Sequence, residues 1–355
     1  MERISLIGDF FDSQLYGGRL YLWTFNGSLR VYNYPAIIRE WVRRHDGNDF
    51  RCQHYENGET WHCITPDDLG RFLLYERDYL TNEFPTGTEV LSGGLFESNA
   101  KGLFTCKVPM YSRYQYRMPV EKISDIPLVY ISGAQRRGLV CAGGSDGMFW
   151  MPRVNNQREL LRVSNQQTIR ASFCEPGIYA HSAMGGAYLL IKEGPHYESM
   201  IKAQNLFPQA ERMAYGQKMT WSWGRYFYMA ENQRLLVYEF VSKDKPMVLK
   251  DEVRFWGWKG DFVSAGSSDC GTVVELDNAI CLFEDWKHEE VNCTIMGSVT
   301  RWRMYPRSKE FSSHVHIIFD DRMDIVVMND EVRRWREMGE RGKYIYGRMP
   351  RYDTE

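Results

Sequence analysis

Gly18–Asn33 reads GRLYLWTFNGSLRVYN, and its reading decides the fold. Two runs rich in aromatic and aliphatic residues flank Asn26-Gly27. Asn-Gly accepts the positive-φ conformations of a tight two-residue turn, so the stretch predicts an antiparallel hairpin. The same design recurs around Asp146-Gly147, Asn232, Asp277-Asn278 and Asp320-Asp321.

Candidate turns between a second and a third strand fall near residues 26, 68, 110, 146, 186, 232, 277 and 321. Their spacing fits the ~40–50 residues of one four-stranded propeller blade. Eight turns predict an all-β propeller of eight antiparallel blades over residues 1–330, with seven blades as the alternative. The third strand of the first unit, Leu29–Asn33 (LRVYN), has counterparts in FLLYE from Phe72, YLLIK from Tyr188, LLVYE from Leu235, ICLFE from Ile280 and DIVVM from Asp324.

These units resemble WD40-like repeats, whose third strand ends on Trp-Asp. Tyr32-Asn33, Tyr75-Glu76, Tyr238-Glu239 and Phe283-Glu284 occupy that place. The resemblance implies a propeller and leaves the activity open, because propellers host many functions.

Net charge is −2 over 355 residues, so no overall field draws the chain to nucleic acid or an anionic membrane. The N-terminus, MERISLIGDF, has no apolar leader, and no stretch reaches the ~18 apolar residues of a membrane span. The eight cysteines show no short paired spacing. A cytoplasmic protein with reduced thiols is expected.

Three segments interrupt the repeats. Residues 34–46 (YPAIIREWVRRHD) predict a helix with Ile37, Ile38, Trp41 and Val42 on one face and Arg39, Arg43 and Arg44 on the other. A second short helix is predicted in residues 196–207, ahead of Pro208. Residues 331–355 form a tail bearing Arg333, Arg334, Arg336, Arg341, Lys343, Arg348 and Arg351.

Metal ligation is weakly supported. With a turn at Asn57-Gly58, Cys52 would face Cys63 and His54 would face Trp61, leaving His62 on the other side. That supplies three ligands at most where zinc wants four. His314 and His316 share one strand face without a carboxylate partner. No metal or cofactor is assigned. No phosphate loop, GxSxG elbow or HExxH is present, and no catalytic residue is assigned.

The expected partner-binding surface is aromatic and basic. Trp221, Trp223 and Arg225, then Trp256, Trp258 and Lys259, then Trp302 and Arg303 recur in successive units. Trp and Arg dominate binding hot spots, whereas packing between blades would use the same tryptophans structurally. The leading functional reading is a non-catalytic platform or accessory subunit that binds another protein through one rim. The first alternative is an enzyme or small-ligand binder at the channel mouth. The second is an accessory subunit touching nucleic acid through its basic segments.

Overall fold

The computed structural model describes residues 2–46, 53–56, 59–108, 119–134, 136–152, 159–182, 186–193, 196–202, 218–231, 234–242, 247–254, 260–268, 271–283, 293–305 and 311–328. β1 (Glu2–Ile7) leads into β2 (Phe10–Tyr16), β3 (Arg19–Thr24) and β4 (Ser28–Asn33). An insertion follows: α1 (Tyr34–Asp46), β5 (Gln53–Glu56), β6 (Glu59–Ile64) and α2 (Pro66–Gly70). β7 (Leu73–Asp78) then pairs with β4 and completes the first blade.

The second blade is β8 (Gly87–Leu91), β9 (Gly94–Asn99), β10 (Gly102–Lys107) and β11 (Glu121–Ser124). The third is β12 (Tyr130–Ala134), β13 (Gly138–Ala142), β14 (Met148–Met151) and β15 (Leu161–Ser164). The fourth is β16 (Arg170–Cys174), β17 (Gly177–His181), β18 (Ala187–Glu193) and β19 (His196–Lys202). The fifth is β20 (Lys218–Trp223), β21 (Tyr226–Glu231), β22 (Arg234–Phe240) and β23 (Met247–Arg254). The sixth is β24 (Phe262–Ser268), β25 (Gly271–Leu276), β26 (Ala279–Phe283) and β27 (Cys293–Met296). In the seventh, β28 (Arg301–Met304), β29 (His314–Ile318) and β30 (Arg322–Val327) are joined by β1, which returns from the N-terminus antiparallel to β30. First strands of adjacent blades touch all the way round, so the ring is closed. The fold is an all-β propeller of four-stranded antiparallel blades.

Seven blades, not eight, make the ring. The turn expected near residue 68 is α2, with Thr65 as N-cap and Pro66 in its first turn. The FLLYE stretch lies mainly in β7, an outermost strand rather than a third one. The second and third strands of blade two turn at Ala100-Lys101, and the turn expected near 110 lies outside the described residues. The insertion from Tyr34 to Phe72 is close to one repeat in length, which is how it counterfeits a blade. Its β6 pairs parallel with β1 and extends the seventh sheet to six strands. Residues 34–46 form the helix α1. The helix expected in 196–207 is corrected: His196–Lys202 is β19, an outer strand paired along β18, and 203–207 lie outside the described residues. The 331–355 tail also lies outside them.

Packing follows from strand alternation. Side chains point to opposite faces at period two. Leu20 and Leu22 of β3 therefore pack toward blade seven, while Tyr21 and Trp23 pack toward blade two. The same split sends Leu235 and Val237 toward blade six and Leu236 and Tyr238 toward blade four. Both faces are buried, so these middle strands read as continuous apolar runs. Seven apolar clusters result, one at each blade junction. At the closing junction, Ile37, Ile38 and Trp41 of α1 add to the core, while Arg39 and Arg43 are exposed. Asn33 accepts from the Ala36 amide and caps that helix.

Candidate functional site

In every blade the first strand starts, and the second strand turns into the third, at the same end of the sheet. The links from each fourth strand to the next blade arrive there too. This end is here the crossover face. Phe25 sits in the β3–β4 turn and Phe84 in the link from β7 to β8, so both lie on it. They are 47% and 50% exposed. Their rings stack at 5.9 Å with 22° between planes. Phe84 also lies 4.1 Å from the ring of buried Phe11, and Tyr79 meets both Phe11 and Phe84 edge-on.

The exposure is therefore of rings held by the fold. Tyr79 donates its hydroxyl to the Thr24 carbonyl. Beneath them, buried Glu97 accepts from the Trp23 indole at 2.8 Å and the Leu80 amide at 2.7 Å. Burial pushes the Glu97 carboxyl up to about 7, against the pull of those two donors. Val129, Ile169 and Val263 are also exposed, each just before or at the start of a first strand, as is Met296 at the end of the fourth strand β27. Six of the large exposed apolar residues thus share one face. Sequence reasoning missed them, although a phenylalanine directly beside an Asn-Gly turn was a usable signal.

The channel side of this face is charged. Asp12 on β2 is fully buried and accepts two hydrogen bonds from Arg303 on β28, at 2.8 and 2.7 Å. Arg301 also donates to it, as does the Thr88 hydroxyl of β8 at 2.6 Å. Burial raises the Asp12 carboxyl, but the two guanidiniums and their hydrogen bonds outweigh it and hold the group at about 2. Gln14 adds a bond to the Thr88 carbonyl at 3.0 Å. Blades seven, one and two are joined through this one carboxylate.

Among the described residues, the expected aromatic-basic set is not collected on one surface. Trp221 is buried, stacks on Tyr228 at 5.3 Å and donates to Ser267 of blade six at 2.7 Å. Trp302 donates to Ser264 and Glu275 of blade six at 2.7 and 2.9 Å. Both indoles fill blade junctions. Trp223 is partly buried against the same cluster as Trp221. Arg225 lies at the opposite face and pairs with Glu239 at 3.2 Å. Arg303 is spent on Asp12. Trp256, Trp258 and Lys259 lie outside the described residues.

His314 and His316 are buried. The Tyr34 hydroxyl lies 2.6 Å from His314 Nδ1 and 3.1 Å from His316 Nε2. His316 Nδ1 in turn meets the Tyr305 and Ser13 hydroxyls at 3.1 and 3.2 Å. The pair belongs to a polar link between the insertion and blades seven and one. β5 and β6 set His54 opposite Trp61, and Cys52 lies outside the described residues. Among the described residues, no three His, Cys, Asp or Glu side chains gather as a metal site, and no helix is long and apolar enough to cross a membrane. Cys141, Cys174 and Cys281 are free, buried thiols.

No protein-family model matches the chain, and no curated protein matches it. The structure matches 758 solved chains, too wide a set to select a function. One of them, Kluyveromyces lactis Hsv2, superposes with a TM-score of 0.52 at 10% identity, over 88% of this chain and 90% of its own. At that identity the likeness carries the fold alone.

Proposed function

We propose that this protein is a non-catalytic binding platform that holds another protein on its crossover face. The observation that carries the reading is the stacked, half-exposed Phe25–Phe84 pair. Aromatic anchors dominate binding energy when a partner desolvates them. A rigid pair loses little conformational freedom on binding. The fold supports the reading in general terms only, since a propeller presents a broad face of loops on a stiff ring.

The channel groups point the same way. The guanidiniums of Arg301 and Arg303 converge on Asp12, within the protein itself. The test is co-purification from native cells with the intact chain, compared with Phe25→Ser and Phe84→Ser. A stoichiometric partner retained by the native chain and lost from both variants is expected. Retention at full stoichiometry by both would overturn the proposed face.

A further inference from the structure

The links and turns of the crossover face are rich in aspartate. Asp9, Asp78, Asp146, Asp261 and Asp277 are all exposed there. Among the described residues, none of the five forms a salt bridge, and Asp9 acts on Arg30 only at longer range. Aspartate suits turns for backbone reasons, but a turn role leaves its charge in place. Among the described residues, the turns between first and second strands, on the opposite face, carry Arg136, Arg137 and Arg225 beside a single acid, Glu175.

Two of the five carboxylates flank the aromatic pair. The Phe25 amide donates to the Asp9 carbonyl at 3.0 Å. Asp78 pairs with Ser28 at the end of the same hairpin, and the next residue, Tyr79, donates its amide to the Gly27 carbonyl at 3.1 Å. An exposed aromatic face between carboxylates attracts a cation twice, through the ring quadrupole and by direct charge.

We propose that the occupant of the Phe25–Phe84 step is a basic segment of a partner protein, offering an arginine or lysine beside an apolar residue, with Asp9 and Asp78 receiving the cation. This inference rests on the platform reading above and names the chemistry of its partner. Charge complementarity selects this occupant: an acidic segment would meet five exposed carboxylates, and a purely apolar one would leave them desolvated.

The test pans a random twelve-residue peptide library against the full-length protein, and against Phe25→Ser/Phe84→Ser and Asp9→Asn/Asp78→Asn variants of matched melting temperature. Enriched peptides are expected to carry net positive charge with an aromatic or aliphatic neighbour. Their affinity should fall at least tenfold in each variant, and fall again between 50 and 500 mM salt, as screening of exposed charge requires. Enriched peptides that need the phenylalanines but are neutral or acidic, or ignore the aspartate variant, overturn this inference and leave the platform standing. Absence of enrichment, or enrichment indifferent to the phenylalanines, overturns both.

Discussion

Asp12 and Arg303, 291 positions apart in sequence, form a two-pronged ion pair of 2.8 and 2.7 Å across the seam where the ring closes. Arg303 passes beyond blade one and reaches the Thr88 carbonyl of blade two at 3.3 Å. The β1–β30 ladder closes the ring through the backbone, and the faces of blades seven and one that meet at this seam are held by side chains. Here the apolar closing cluster is reinforced by one buried charge group.

Asp12→Asn should destabilise the fold by about 3–5 kcal/mol, because it strands buried guanidinium charge without its counter-ion. Arg301→Gln should cost far less, since its side chain is 31% exposed and Arg303 still satisfies the carboxylate. Denaturant unfolding of the two variants checks this. Equal costs would mean that the carboxylate is not the keystone of the seam.

Tyr34→Phe keeps the ring, which meets Phe311 edge-on at 4.8 Å, and deletes only the hydroxyl between the two histidines. Losing a buried hydrogen-bond partner costs about 1–3 kcal/mol. Unfolding of Tyr34→Phe should show a loss in that range. A loss under about 0.5 kcal/mol, the scale of an ordinary surface change, would show that the insertion is held by its apolar face alone.

Two opposing titrations set the pH profile. Burial holds His314 down at about 3, burial and the Arg170 charge hold His181 there too, and burial with His314 nearby holds His316 well below its usual range. Below pH 6.5 the unfolded chain therefore binds protons that the native one refuses, and stability falls with pH by up to about 1.4 kcal/mol per unit for each histidine. Glu97, raised to about 7, works the other way. Between pH 7 and 4.5 the native state binds its proton first, so acidification favours folding by the same slope. Three histidines outweigh one glutamate. Stability should peak near pH 7, fall by about 2.8 kcal/mol per unit toward pH 4.5, and fall about half as steeply again below that. Glu97→Gln should steepen the upper limb. A flat profile from pH 7 to 5 would refute the assignment.

How much of this was legible varies with the range of the interaction. Hairpins at Asn26-Gly27, Asp146-Gly147 and Asp277-Asn278 were readable because turn chemistry is local. So was α1, from its apolar stripe. Blade count was not, because an insertion of repeat length with its own apolar runs imitates the period. The aromatic-basic repeat was readable as a pattern, but the surroundings of its residues were not. Whether Trp221 faces solvent or Ser267 depends on the neighbouring blade, which no local pattern encodes. The exposure of Phe25 and Phe84 depends likewise on which end of the sheet a link occupies.

Gly102 and Gly27 separate backbone strain from blade packing. Both have positive φ, +125° and +93°. A methyl group on Gly27 meets nothing within 4 Å, so Gly27→Ala should cost only the conformational strain, about 1–2 kcal/mol. On Gly102 the same methyl would lie 1.8 Å from the Ser124 carbonyl oxygen of β11. That atom is backbone, so the outer strand of blade two must move and its pairing with β10 must loosen. Gly102→Ala should therefore cost about 4 kcal/mol or more, the range that marks a specific structural conflict. Hydrogen exchange at the β11 amides should accelerate in Gly102→Ala and stay unchanged in Gly27→Ala. Equal losses in the two variants would place β11 away from β10 and refute the blade-two pairing.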